Sequence, residues 1–380
     1  MKRLAIAPHR LYFFLGALAA LILFVWWWRQ VVSQTMAVPL HALVMPLGIF
    51  PLFILGFTFT AGPRWLSVES ADHYFLLHGG TYFCGLLLVL VAAGLGWYPL
   101  RTAGFVLMLA AWLAVTWRWG DLIRRSKALD KKHPVSILIA MLGGMSALLA
   151  AVFWSAGDND AWQVAREFSF FGFLLPVFLT VSHRMLPFFS SNVLKPYVAW
   201  RPYWLLGVWL GGCWLLVLAG ITGWRYLEAF SASVLSLSFV VTSWRWGIFR
   251  SLQNRMLAML HLSFAWLAVV FGLQAAGALG VAVGSASIHA LGLGFMGTML
   301  VAFVSRVSYG HSGRPLQVSN SLWMVYLGLH LAAMLRIVAS LLVIPSLLTV
   351  SATVWLLLIT IWIAMMLPVY LKARADGQPG

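Results

Sequence analysis

Apolar runs separated by short polar breaks repeat along the whole chain, and their lengths predict its elements. The runs cover 10–30, 38–60, 74–96, 99–118, 134–155, 164–187, 203–222, 226–247, 255–280, 284–309, 320–344 and 347–372. Each is about 20 residues long, the length an α-helix needs to cross a bilayer. In lipid only helices and closed barrels satisfy every backbone group. The ten-residue alternation of a barrel strand is missing, so the barrel reading fails. The pattern predicts an all-α integral membrane protein with twelve transmembrane helices.

A weaker periodicity overlies this one. Segments around Arg64 (Thr-Ala-Gly-Pro-Arg-Trp-Leu), Arg184 (Val-Ser-His-Arg-Met-Leu-Pro) and Arg306 (Val-Ser-Arg-Val-Ser-Tyr-Gly) each close an apolar run. They recur about every 120 residues, and Trp117-Arg118-Trp119-Gly120 matches Trp244-Arg245-Trp246-Gly247. This suggests three four-helix units, near 1–125, 126–250 and 251–380, within one polytopic membrane domain.

Composition agrees with the pattern. The chain is 62% hydrophobic and 9% charged, and 9% charge cannot give a chain of 380 residues the polar skin of a soluble domain. The formal charge of +16 would suggest nucleic acid in a soluble protein. Here the basic residues sit in breaks and at helix ends, where the positive-inside rule explains them, so no nucleic-acid partner is expected. Lys2, Arg3 and Arg10 precede or open the first run. Arg124, Arg125, Lys127, Lys131 and Lys132 follow the fourth, Arg250 and Arg255 follow the eighth, and Lys372 and Arg374 end the chain. The break near Asp158, Asp160 and Glu167 is acidic, and those near 281 and 345 are uncharged. All strongly basic segments share one side if both termini are cytoplasmic. The first run is too long for a secretory signal and lacks a clear cleavage site, so it reads as a retained span. Cys84 and Cys213 lie inside apolar runs without metal spacing and read as small buried residues.

Candidate chemistry is confined to few residue types. Acidic side chains are almost absent from the runs, which argues against a cation-coupled carrier, since a coupling ion needs a counter-charge at depth. Histidine remains. His41 opens the second helix, His261 lies early in the ninth and His289 early in the tenth. His330 lies in the eleventh, and His183 and His311 sit at or beyond cytoplasmic helix ends. Neutral imidazole ligates haem iron and copper. His41 and His289 enter from the same side at similar depth, the arrangement that holds a b-type haem between helices; packing is the alternative use of such residues. Met45, four residues after His41, and Met296, seven after His289, fall at helical spacing. A thioether beside an imidazole suits cuprous copper, although methionine also fills gaps between helices. His9, His73, His78 and His133 lie near the interfaces and are expected to be solvated. Arg64 reads as an anchor to lipid phosphates. Arg184 and Arg306 stand in dense polar segments where they could pin helix ends or contact an anionic group. No Walker loop, zincin helix or hydrolase elbow is present.

One block is more specific. His289-Ala290-Leu291-Gly292-Leu293-Gly294-Phe295-Met296-Gly297-Thr298-Met299, continued by Ser305-Arg306-Val307-Ser308-Tyr309-Gly310-His311-Ser312-Gly313-Arg314-Pro315-Leu316, resembles the signature of the NnrS family. Arg184-Met185-Leu186-Pro187-Phe188-Phe189, His261 and Leu331-Ala332-Ala333-Met334-Leu335-Arg336 add to the resemblance. It implies a polytopic bacterial inner-membrane protein of the nitric oxide response that contains haem b and copper. Nitric oxide is then a small-molecule ligand, and the bilayer is the standing partner. The cofactor candidates are His41, His261, His289, His311, Arg184 and Arg306, and the metal candidates His41, Met45, His289 and Met296. The chain departs from the family at the second helix. That helix typically begins Trp-His-x-His-Glu-Met, whereas this chain reads Leu40-His41-Ala42-Leu43-Val44-Met45. Leu43 and Val44 replace a histidine and a glutamate, which weakens the implied copper more than the implied haem. The competing expectation is a twelve-helix transporter or export channel whose histidines only pack.

Overall fold

The computed structural model describes residues 3–69 and 74–377, so Lys2 and His73 lie outside the described residues. Twelve helices are long and apolar enough to cross a membrane. They are α1 (Pro8–Val32), α2 (Val38–Leu66), α3 (Phe75–Leu95), α4 (Tyr98–Arg125), α5 (Lys132–Ser155) and α6 (Ala161–Val193). The second half holds α7 (Tyr203–Thr222), α8 (Arg225–Arg245), α9 (Arg255–Ala278), α10 (Ala286–His311), α11 (Asn320–Leu341) and α12 (Pro345–Leu371). No strand occurs among the described residues, so the chain is an all-α membrane protein. The hydropathy pattern places every span, and α2, α4 and α6 continue several residues past the apolar runs that announce them.

The helices fall into two compact units. The first comprises Met1–Leu23, Ala37–Thr180 and Tyr370–Lys372; the second comprises Phe24–Met36, Val181–Val369 and Ala373–Gly380.

In the first unit α2 is the buried helix. It is apolar all round, as a helix with no lipid-facing side must be. Pro46, Pro51 and Pro63 lie inside it, where surrounding helices can satisfy the carbonyls that proline leaves free. Tyr82 of α3 does this directly, donating its hydroxyl to the Leu47 carbonyl at 2.6 Å. Trp112 and Trp119 of α4 donate to the carbonyls of Met141 and Pro134 at 2.8 and 3.0 Å, tying α4 to α5. Gly85 and Gly104 face each other where α3 crosses α4, and a Cβ on either would stand under 3 Å from the other's carbonyl oxygen. Close approach through small residues is how membrane helices gain contact when lipid removes the hydrophobic drive. Arg10 is buried and donates to the carbonyls of Tyr370 and Lys372 at 3.3 and 3.0 Å. It caps the end of α12, where a cation meets the negative end of the helix dipole.

In the second unit α9 is the central helix. Trp209, Phe239, Trp246, Phe264 and Phe271 form one aromatic cluster over it, with Trp246 and Phe264 4.8 Å apart and Trp209 and Phe239 5.1 Å apart. Their polar atoms are used: Trp209 donates to Ser238 Oγ at 3.1 Å and Trp246 to the Trp200 carbonyl at 2.8 Å. The tail docks locally, with Ala375 N–H donating to the Ser312 carbonyl at 2.8 Å and Arg374 gripping Asp376 through two nitrogens.

Four expectations need correction. Cys213 is buried, but Cys84 is exposed, because α3 turns Tyr82, Leu86 and Val89 inward and Cys84 away from them. His9 and His133 are buried rather than solvated. His9 folds against α2, its backbone N–H donating to Thr60 Oγ1 at 3.2 Å and its ring set edge-on to Phe13. Glu167 does not belong to a polar break: it lies buried in α6 and is bonded by Arg166. Hydropathy along one chain does not show which face of a helix meets its neighbours, and that face decides the burial of these residues.

Candidate functional site

The residues with most chemical capacity gather on α10 and the helices packed on it. This helix is not uniformly α. Its first turn, Ala286–His289, leads into wide π-type turns over Ala290–Gly297, and ordinary α geometry resumes at Thr298. The segment carries Gly292, Gly294 and Gly297, and Gly294 is needed there: a Cβ would stand 2.6 Å from the indole of Trp266 on α9. Thr298 turns its hydroxyl back onto the Gly294 carbonyl. A comparable stretch, Phe168–Leu174, interrupts α6 in the first unit, and Ser169 there donates to the Ala165 carbonyl at 2.6 Å. Single wide turns inside α-helices concentrate at functional sites.

His289 stands at the mouth of these turns and is half-buried. Its Nδ1 lies 2.8 Å from the Ser285 carbonyl oxygen. A carbonyl only accepts, so Nδ1 carries the hydrogen and the lone pair of the neutral ring is on Nε2. This is the arrangement that metal-bound histidines adopt, with the second nitrogen tied to an acceptor that fixes tautomer and ring orientation. Three residues on, a Cβ at Gly292 would meet nothing within 4 Å, so α10 leaves open space on this stretch.

His330 on α11 has the opposite polarity. Trp266 Nε1–H donates to His330 Nδ1 at 2.8 Å, the two rings stack at 17°, and Tyr326 closes edge-on at 4.5 Å. Because Nδ1 accepts, Nε2 carries the hydrogen, and that buried N–H has no hydrogen-bond partner among the described residues. His330 is therefore a donor, not a ligand.

Arg336, two turns further along α11, is half-buried beside His289. It donates to Ser285 Oγ at 3.0 Å and to Ser340, and the two serine hydroxyls lie 3.0 Å apart. This cluster ties the start of α10 to the end of α11.

The remaining candidates are distributed as follows. His261 on α9 is buried and shares a hydrogen bond with Ser190 Oγ of α6 at 2.9 Å. Arg306 on α10 sits with its guanidinium 3.9 Å from the centre of the Phe189 ring, a cation–π contact. Arg184 on α6 is half-buried, and His311 is the last residue of α10. His183, also on α6, bonds the Pro202 carbonyl at 3.2 Å and packs against Tyr203 and Trp209. All these residues belong to the second unit. His41 and Met45 belong to the first, one turn apart on α2, with Leu43 and Val44 fully buried between them.

Met296 is fully buried in the wide turns, whereas His289 is half-buried. The spacing of seven that associated them assumes 3.6 residues per turn. With i→i+5 bonding each turn holds more residues, so seven fall short of the two full turns that would return to one face. Among the described residues no group of three or more His, Cys, Asp and Glu side chains is placed to hold a metal ion. For copper the pair His41 and Met45 is what remains.

Reading the sequence missed Arg336 as a site residue, together with Ser285, Ser340 and Trp266. A lone arginine inside an apolar run was a visible signal. The serines acquire meaning only when two helix ends meet.

A family model described as NnrS protein matches residues 3–374. No curated protein matches the chain.

Proposed function

The chain belongs to the NnrS family, and from that premise we propose that it is a haem-binding inner-membrane protein of the nitric oxide response, with copper as a weaker second cofactor. The observation that supports the reading is the His289 hydrogen bond: Nδ1–H held on the Ser285 carbonyl fixes the tautomer in which Nε2 would be the ligating nitrogen, at the entrance to the wide turns of α10. Haem iron held by imidazole supplies a position at which nitric oxide binds. The protein's part is to fix that imidazole, and Ser285 does so from one turn away. Gly294 and Trp266 set the distance between α10 and α9, and His330 Nε2–H offers a buried donor. Copper, if held, draws on His41 and Met45, a soft pair suited to the cuprous ion. Both termini are cytoplasmic in this reading, which puts the basic breaks inside.

The test is optical. The protein, expressed with ample haem and purified in detergent, should show a Soret band and sharpened visible bands on reduction. His289→Ala should abolish or shift them, and His41→Ala tests the second candidate in the same assay. An unchanged spectrum in His289→Ala would remove this residue as ligand. A colourless protein would favour the cofactor-free transporter.

A further inference from the structure

Among the described residues, no carboxylate of its own unit bonds Arg336. The second unit holds two acidic side chains, Glu228 and Asp376. Glu228 accepts from Gln274 at 3.0 Å, and Asp376 is held by Arg374. The partners of Arg336 are two neutral hydroxyls, Ser285 and Ser340. A guanidinium offers five N–H donors, so the hydroxyls leave several unused, and Arg336 is half-buried, so those donors can still meet an anion. An arginine near a helix end often reaches outward to lipid headgroups. This one runs along α11 to Ser340, beside the end of that helix, and across to Ser285, the residue that precedes α10, so its fork is held in place by both helix ends. The serine whose hydroxyl it bonds is the same residue whose carbonyl orients His289.

We propose that Arg336, Ser285 and Ser340 form a receptor for a planar oxyanion at the edge of the His289 site. Two oxygens on one atom match the guanidinium fork, and a serine hydroxyl can add a third hydrogen bond. That chemistry has two sources here: the propionate of a haem ligated by His289, or a free carboxylate or nitrite ion. The first source rests on the haem reading above; the second does not.

The experiment therefore has two arms, run on the full chain. In the first, protein depleted of haem is reconstituted with haem b or with its dimethyl ester, which lacks the anionic oxygens. Wild-type protein should prefer haem b by roughly tenfold to a hundredfold, the range of a charge-assisted hydrogen bond. Arg336→Gln should lose that preference, and Arg336→Lys should keep part of it. In the second arm, formate and nitrite are titrated calorimetrically into haem-free protein, with Arg336→Gln as control. Binding that depends on Arg336, without discrimination between haem and ester, assigns the free anion. If Arg336→Gln does not fold, Ser285→Ala carries both arms, with a smaller loss expected. Equal preference in wild type and variants together with no anion binding would overturn the proposal. So would a change confined to co-purified phospholipid, which would make Arg336 a headgroup anchor. A wild-type protein that takes up no haem but binds formate through Arg336 would sink the haem reading and leave this one standing.

Discussion

His330 shows how far a single hydrogen bond decides what a side chain can do. Its ring lies in the same helix bundle as His289, yet the indole N–H of Trp266 occupies its Nδ1 and leaves it a donor. His289, bonded to a carbonyl instead, is left an acceptor. The sequence identified both as histidines inside the membrane and could not separate them, because tautomer follows from neighbours on other helices. The same limit explains His9 and His133, which read as interfacial and are buried. Trp266→Phe keeps the stacked ring but strands a part-buried acceptor. It should destabilise the protein in detergent by about 1–3 kcal/mol in chemical unfolding. An unchanged midpoint would mean that water replaces the indole N–H.

At the scale of elements, the boundaries of the helices were legible and their irregularities were not. Apolar runs and polar breaks mark every span because the bilayer imposes them. The wide turns in α6 and α10 leave no comparable mark: glycines at 292, 294 and 297 are compatible with any close helix contact. The cost of that blindness falls on Met296, which α-helical spacing associates with His289 and the wide turns rotate off that register. Close contacts are easier to test than turns. Gly104→Val should destabilise the α3–α4 crossing by about 1–3 kcal/mol, because the opposing atom is the Gly85 carbonyl, which is backbone and cannot move aside. Gly94→Ala, on the same helix pair, meets nothing within 4 Å and should be neutral in the same thermal assay. Equal effects from both substitutions would contradict this account of the crossing.

For the whole molecule, charge carries the information that hydropathy lacks. With 25 basic and 9 acidic residues, the asymmetry of the breaks predicts an orientation with both ends in the cytoplasm. A fluorescent protein fused after Gly380 should then be bright, and a phosphatase that folds only outside the cytoplasm should be silent at the same position. The reverse pattern would invert the topology. The family was legible too: the resemblance read from the block around α10 agrees with the family match over residues 3–374. The Arg336 cluster was not, since it is assembled from the start of one helix and the end of another, fifty residues apart in sequence. The family reading and the His289 geometry meet in one claim, that the protein holds haem. The most direct test is haem extracted and quantified per chain from purified protein, with His289→Ala measured beside it. Wild-type protein should carry stoichiometric b-type haem, with a marked loss in the variant. Wild-type protein that stays free of haem despite ample supply would contradict that claim.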